Sequence, residues 1–354
     1  MQLVQILLYV IGYGIIAISL IPLIRHDNWI FRIFEYPRSQ KLLINLSILL
    51  LFIILFNFES THPIIFVVLL GGNSLYLFYQ IFPYTKLAGK QMEVHHSPDI
   101  SRQLKLMVCN VFQDNRDYQK VLQRIDECKP DIIILVETDL LWQSALKSLN
   151  KMYPYRVSKP LNNTYGILLF SKLDLIDPQV KFLIEPEIPS IHTKVKLPSG
   201  DIFHLYCIHP KPPVPQESPR STERDAEILT IAKEAKACTL PVIVAGDLND
   251  VAWSYTTELF LKVSGLLDPR RGRGFYSTFH AKYWFLRWPL DHVFCSKHFH
   301  LIKLKVLPSI GSDHFPIFLE LVLPEEYLKA HEDKALEADA EDVQMAEEKI
   351  NNAR

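Results

Sequence analysis

The chain lacks any strong excess of charge. Its 38 Lys and Arg stand against 39 Asp and Glu, for a formal net charge of -1 over 354 residues. A dedicated nucleic-acid enzyme usually carries a basic surface, so this balance argues mildly against one. A cysteine framework is missing too. Cys109, Cys128, Cys207, Cys238 and Cys295 are odd in number, scattered and mostly within apolar runs. That is the pattern of buried thiols, not of a disulfide scaffold or a zinc knuckle. There is no internal repeat that can be counted. The first segment has neither a basic n-region nor a small-residue cleavage site, which argues against a cleaved signal peptide. Charge is wholly absent from three stretches, Leu3 to Ile24, Leu42 to Phe58 and Ile64 to Phe82.

Each of these stretches is close to the ~20 helical residues that cross a hydrocarbon core, the middle one being the shortest. Three in succession predict an integral, multi-pass membrane region over residues 1–83, with helices at 3–24, 42–58 and 64–82. Arg25, Arg32, Arg38 and Lys41 follow the first run, and Lys86 and Lys90 follow the third. The bias of basic residues to the cytoplasmic side predicts an external N-terminus and a cytoplasmic C-terminal part.

Residues 84–103 are polar, without pattern, and read as a linker. Leu104 to Cys109 is a short strand-type run. Tyr118, Val121, Leu122, Ile125 and Cys128 then recur at helical spacing, and Ile132 to Val136 is the continuous apolar run of a strand buried on both faces. A strand–helix–strand crossover makes the two strands parallel, with their carboxyl ends on one edge. Asn110 and Glu137 thereby share a rim. Further strands are predicted at Gly166 to Phe170, His192 to Leu197, Ile202 to Ile208, Val242 to Ala245, Val293 to Cys295 and Phe315 to Val322. A helix is predicted over Ser221 to Ala237, with Ile228, Leu229, Ala232 and Ala235 as its buried stripe. This folded part covers 104–324. Residues 325–354, rich in Ala, Glu, Asp and Lys without a broad apolar stripe, predict a charged tail, helical and solvated or disordered.

The chemistry-bearing residues gather at strand ends. Glu137 closes a buried run, where a carboxylate is costly unless it is paired or binds a cation; taken alone, it is equally a capping or salt-bridge acid. Asn110 alone is weaker still, since Asn commonly ends strands. In Gly246-Asp247-Leu248-Asn249, period-two geometry predicts that Asp247 and Asn249 point to one side, and Gly246 permits a close approach. An Asp/Asn turn is the plain alternative. His209 ends a strand before Pro210-Lys211-Pro212-Pro213, which cannot continue a sheet. Asp291 and the Asp313-His314 pair complete the set, because an Asp that fixes a His tautomer yields a competent acid, base or phosphate ligand.

In this order, the residues resemble the endonuclease/exonuclease/phosphatase family, which includes nucleases, neutral sphingomyelinases and inositol-polyphosphate phosphatases. The resemblance covers about Leu104 to Leu323. It is carried by Asn110, the "VET" of Glu137, "GILLFS" from Gly166 to Ser171, His209, "GDLND", "LDHVF" and "GSDHFP". It implies a four-layer α/β sandwich with two central mixed β-sheets, here preceded by the helical transmembrane region. It also implies a phosphoesterase that uses Mg²⁺ (or Mn²⁺). By the same resemblance, Glu137 is the main metal ligand with Asn110 and Asp313 nearby, and Asp247 is the acid/base. Asn249 and His209 bind phosphate, and Asp291 orients His314, the transition-state phosphate ligand. The chain departs from the family in having Val136 before the acid and Ile208 before the His, where Gln and Thr are frequent. Neither is a catalytic position, so the departures bear on substrate more than on chemistry.

The resemblance leaves the substrate open. Arg270-Arg271-Gly272-Arg273-Gly274-Phe275-Tyr276, followed by Tyr283, Trp284, Phe285, Arg287 and Trp288, is basic and aromatic. Such a segment stacks bases in a nuclease, and it equally suits a lipid headgroup layer or a loop capping the core. With the membrane runs beside it, the chain reads as a membrane-bound phosphoesterase acting on a lipid-type or lipid-linked phosphate. A membrane-tethered endo/exonuclease and an inactive membrane scaffold are the alternatives. The scaffold fits poorly, because Glu137, Asp247, Asp291 and His314 are all present.

Overall fold

The computed structural model describes residues 2–94, 99–325 and 334–353. The chain opens with α1 (Gln2–Leu20), a short α2 (Trp29–Arg32), α3 (Arg38–Leu55) and α4 (Thr61–Ile81). Then come β1 (Gln103–Asn110), α5 (Tyr118–Cys128), β2 (Ile132–Val136), α6 (Leu140–Ala145), β3 (Tyr155–Lys159), β4 (Ile167–Ser171), β5 (Asp174–Lys181), β6 (Ser190–Lys196) and β7 (Ile202–Ile208). The rest is α7 (Thr222–Ala237), β8 (Val242–Asp247), α8 (Tyr255–Ser264), β9 (Asp291–Cys295), β10 (His300–Val306), β11 (Ile317–Val322) and α9 (Ala340–Asn351).

Among the described residues the strands form two mixed sheets, ordered β10-β11-β1-β2-β4-β3 and β5-β6-β7-β8-β9. Their inner faces interdigitate through Leu106, Val108, Ile132 and Ile134 of one and Leu205, Cys207, Ile243 and Ala245 of the other. The outer face of the first sheet packs Met107, Ile133 and Leu135 against Val121, Ile125 and Trp142 of α5 and α6. The outer face of the second packs Tyr206, Ile208 and Val244 against α7 and α8. Helix, sheet, sheet and helix make the α/β sandwich in four layers. The strands β1, β2, β4, β8 and β11 lie between these layers, which is why they read as continuous apolar runs. The strands that the sequence pattern misses, β3, β5 and β10, are all sheet edges and half exposed. Edges carry charge to discourage further pairing, so they present no apolar run.

Three helices are long and apolar enough to cross a membrane, Gln2–Ile24, Arg38–Leu55 and Thr61–Tyr84. The middle one begins four residues before the uncharged run, and it takes in Arg38 and Lys41. The Lys41 ammonium donates to the Phe34 carbonyl at 2.8 Å, and Arg38 donates to the Trp253 carbonyl at 2.5 Å. Deeper in the bundle, Asn45 donates to the Leu70 carbonyl at 2.8 Å and the Ser74 hydroxyl at 2.6 Å, and it accepts from Asn73 at 2.9 Å.

Two segments pack more closely than their composition suggests. Where the composition reads as an unpatterned linker, Tyr84, Gln91 and Met92 are buried against the sandwich. Where it reads as a solvated tail, α9 lies on α7 and α8 with Ala346 and Ile350 buried. Lys349 reaches Asp225 at 2.7 Å and Lys262 reaches Asp342 at 3.0 Å. A few apolar side chains, with Met345 packed beside Ala346 and Ile350, and complementary charge dock this helix, and neither makes a stripe. Residues 95–98 of the linker and 326–333 of the tail lie outside the described residues.

Candidate active site

Strand pairing brings the predicted residues to one rim. In the parallel pair β1–β2, Asn110 stands opposite Val136, so Asn110 and Glu137 emerge together. The parallel pair β7–β8 sets Ile208 opposite Gly246, so His209 and Asp247 emerge together. In the antiparallel pair β8–β9, Asp247 faces Asp291. Asp313 and His314 come just before β11, which is paired with β1. Gly246 has φ 152°, and a Cβ there would lie 1.8 Å from the Ile208 carbonyl oxygen, so this crossing admits glycine alone. Val136 and Ile208 are buried strand ends of the sheets.

The side chains form a continuous polar network. The Asn110 amide donates to Glu137 Oε1 at 2.6 Å and to Asp247 Oδ2 at 2.9 Å. The Gln113 N–H reaches Glu137 Oε2 at 3.3 Å. His314 Nδ1 sits 2.8 Å from Asp291 Oδ2, and its Nε2 faces Asp247 Oδ2 at 3.6 Å. His209 Nε2 approaches the same oxygen at 4.0 Å. The Ser312 hydroxyl donates to the Asn110 carbonyl at 2.9 Å, its oxygen lies 3.3 Å from Asp313 Oδ1, and it accepts the His314 N–H at 2.9 Å. Glu137, Asn249, Asp313 and His314 all line one cavity.

Asn249 reaches this site by another route than strand alternation. The strand ends at Asp247, and Asn249 takes a left-handed φ of 51°. Its N–H donates to Asp247 Oδ1 at 3.0 Å, and its side chain donates to the Pro210 carbonyl at 2.9 Å. In "GDLND" a turn and a place at this rim are therefore compatible. Asp250, in the same motif, is turned inward, where it takes hydrogen bonds from Ser254 and Thr257 at the start of α8.

Burial and charge divide the ionisable groups. Burial pushes Glu137 up to about 7, against the hydrogen bond from Asn110 and the His314 charge. Burial also raises Asp247, with His314 opposing and Asp291 adding. Burial would lower His314, but the Asp291 and Asp247 carboxylates outweigh it and lift the imidazole to about 10. Burial holds His209 down to about 4, with Asp247 opposing only in part. One histidine is thus held cationic at neutral pH and the other neutral.

Asp247, Asp291 and His314 offer ligand atoms within 4.8 Å of one another. The imidazolium already bridges these two carboxylates, so a second cation among them meets like charge. Glu137 differs. It is a half-buried carboxylate whose described hydrogen bonds come from one amide and one backbone N–H, and no cationic side chain among the described residues pairs with it. Asp313 lines the cavity beside it, and carboxylate oxygens suit a hard divalent cation; the Asn110 amide nitrogen faces Glu137, while its oxygen takes the Phe112 N–H at 2.9 Å.

Several contributing residues carry no signal in the sequence. Arg224, in the first turn of α7, donates to the Asn249 carbonyl at 2.7 Å. Tyr36, between α2 and α3, donates to the same carbonyl at 2.9 Å. Trp29, Ile33 and Pro37 line the cavity beside Phe279, Leu286 and Trp288. A short ladder secures this segment, with Trp29 N–H to the Pro219 carbonyl at 2.9 Å and Ser221 N–H to the Asp27 carbonyl at 2.8 Å. Arg32 is buried against Asp225 at 2.7 Å and Glu35 at 3.1 Å. "GDLND" and "GSDHFP" announce themselves by composition, whereas an apolar wall supplied by a distant segment does not.

The sequence profile of the Endonuclease/Exonuclease/phosphatase family matches residues 107–314. No curated protein matches the chain. Among solved structures, TDP2 from D. rerio in complex with a single-strand DNA product superposes with TM-score 0.53 at 16% identity, covering 62% of this chain and 98% of that one. The human Nocturnin catalytic domain with bound sulfate gives 0.51 at 17%, covering 64% and 96%. A mannosyl-6-phosphatase from Bacteroides thetaiotaomicron gives 0.50 at 19%, covering 62% and 99%. At these identities the structures share the fold of the sandwich.

Proposed function

Since the chain belongs to the endonuclease/exonuclease/phosphatase family of metal-dependent phosphate-ester hydrolases, we propose that it is a membrane-bound phosphoesterase acting on a lipid-type or lipid-linked phosphate. One observation carries this reading. The segment between the first two candidate spans forms a wall of the site cavity, and its Tyr36 hydrogen-bonds the backbone of Asn249. Residues 1–83 are the membrane region, 84–103 the connection, 104–324 the catalytic domain and 325–354 the charged tail. Docking of residues 25–37 onto a domain that follows the third span needs both on one side, as three crossings give and two crossings, with Arg38–Leu55 outside the membrane, do not. The basic residues favour the cytoplasmic side.

Glu137, Asn110 and Asp313 would hold Mg²⁺ or Mn²⁺. Such an ion supplies neutralising charge at a non-bridging phosphate oxygen. His314, held cationic by Asp291, donates to another oxygen as charge builds there. Asn249 and His209 orient the phosphate, and Asp247 moves the proton of the attacking water or the leaving group. The family fold accommodates nucleic acid as well, and the exposed Tyr283, Trp284 and Phe285 beside Arg287 favour a membrane-tethered nuclease as a second reading.

The test is detergent-purified protein with Mg²⁺, given phospholipids, polyprenyl pyrophosphates and plasmid DNA in separate reactions. EDTA-sensitive cleavage of a lipid phosphate supports the proposal, while nicked plasmid with intact lipids supports the nuclease. Alkaline carbonate washing checks the spans independently: release of the protein into the supernatant would remove the membrane reading.

A further inference from the structure

The site cavity, of about 540 Å³, falls within the roughly 300–1,000 Å³ of small-molecule sites. Opposite Glu137, Asn249, Asp313 and His314 in character, much of its lining is apolar and comes from two regions. Trp29 and Ile33 belong to the segment between spans, and Phe279, Leu286 and Trp288 belong to the catalytic domain. Among the described residues that line it, Arg32 is the one Lys or Arg, and its guanidinium is engaged by Glu35 and Asp225. A polyanion is held by successive cations along its backbone. This cavity offers none in series. It suits a single phosphate head attached to an apolar body.

Exposed residues of the cavity lie beside the start of a candidate span. Ile33, on one side of the cavity, is 51% exposed, and Leu286, on the other, is exposed as well. Gln40, in the first turn of α3, donates to the Phe285 carbonyl at 3.1 Å, and the neighbouring Trp284 is 79% exposed. Exposed aromatics between Lys282 and Arg287, beside the end of an apolar helix, suit the headgroup layer of a bilayer.

We propose that this cavity is a lateral-entry substrate site built jointly by the membrane region and the catalytic domain. The phosphate end of a lipid reaches Glu137 and His314. The first part of its hydrocarbon chain lies between Trp29 and Ile33 on one side and Leu286 and Trp288 on the other, and the rest of the chain remains in the bilayer. Ile33 and Leu286 are then residues that select for the chain. The inference rests on the phosphoesterase reading above and adds the source of its specificity.

A series of alkyl p-nitrophenyl phosphates, from methyl to hexadecyl, tests it with the full-length chain in detergent and Mg²⁺. The wild type is expected to prefer the hexadecyl ester in kcat/KM. Ile33→Asp and Leu286→Asp, both at exposed positions, should each lower the hexadecyl-to-methyl ratio roughly tenfold or more. Met152→Asp, exposed away from the cavity, controls for partition into micelles and should keep the wild-type ratio. Hydrolysis of both esters with one ratio across all four proteins would overturn the lateral site and leave the phosphoesterase reading standing. Failure of the wild type to hydrolyse any ester would overturn both.

Discussion

The N-terminal bundle and the sandwich solve opposite packing problems. In the bundle, Leu43, Ile54 and Leu75 are 67%, 68% and 72% exposed, while Asn45, Asn73, Ser74 and Lys41 are buried. The sandwich buries Ile, Val and Leu in its core, and buried charges there, such as Asp291 with His314 and Arg224 with Asp225, sit in paired clusters. Apolar helix surface of this extent is costly in water, and on the membrane reading proposed above the two parts meet different solvents. Inside a bilayer the polar side chains link helices, since hydrocarbon offers no other partner. Where the two regions meet, one such cluster takes in both. Arg32 and Glu35, in the segment between the first two candidate spans, are buried, and Arg32 shares Asp225 with Arg224 and Lys349. This joint is a built interface and not a tether.

Breaking the joint should have the largest effect. Arg32→Leu leaves Glu35 buried without its cation and takes one of several from Asp225. Loss of one partner of a buried pair costs about 3–5 kcal/mol. The thermal midpoint in detergent should fall sharply, whereas an unchanged midpoint would mean that the two regions fold independently.

The next change acts on chemistry alone. Asp247→Asn keeps the shape and the contact with Asn110 but removes the charge. Turnover on any substrate the parent hydrolyses should fall roughly a hundredfold or more, with little change in stability. Glu137→Ala and His314→Ala should do likewise. Near-parental rates in Asp247→Asn would displace this residue from the site.

A third prediction sharpens the contrast from the sandwich side. Burial pushes Glu227 of α7 up to about 8, with Glu185 adding, and one of its oxygens has no hydrogen-bond partner. The folded chain therefore keeps this proton while the unfolded chain loses it above the ordinary glutamate range. The stability it contributes is full below about 4.5 and is lost as pH rises through about 8. Glu227→Gln should match the parent near pH 4.5 and exceed it by up to ~4 kcal/mol at pH 8, about three pH units at ~1.4 kcal/mol each, read as thermal midpoints at both values. A constant difference across that range would contradict the assignment.

The smallest effect is expected within the bundle. Asn45→Leu removes the links to Ser74 and Asn73, and buried polar contacts between membrane helices contribute about 1 kcal/mol. A modest drop in midpoint is predicted. A rise would mean that the helices pack by shape alone.

The legibility of the sequence follows the same division. Strands covered on both faces, such as Ile132–Val136, stand out as apolar runs, and the residues closing them are readable as candidates. Edge strands such as Asp174–Lys181 are not, because their exposed faces carry charge. In the site, the "GDLND", "LDHVF" and "GSDHFP" clusters are legible because they concentrate Asp, Asn and His within a few residues. Tyr36 and Arg224 are not. Each serves by donating to one carbonyl far away in sequence, and a single Tyr or Arg outside a pattern predicts no partner. The burial of Arg224 and Asp225 on α7 is hidden for a related reason: apart from each other, their ion-pair partners Asp250, Arg32 and Lys349 lie far away in sequence, beyond any local periodicity.

The central claim is that the segment between the first two candidate spans is part of the catalytic site. Asn28 and Arg220 form an antiparallel bridge flanked by the hydrogen bonds of residues 27, 29, 219 and 221. In such a pair the Cα atoms lie about 4.5 Å apart, within disulfide reach. The direct measurement is peptide mass spectrometry of the Asn28→Cys/Arg220→Cys double variant after mild oxidation in detergent. The account predicts a disulfide joining positions 28 and 220 in nearly all molecules, with hydrolytic activity retained. Two free thiols that label separately, with no linked peptide, would contradict it.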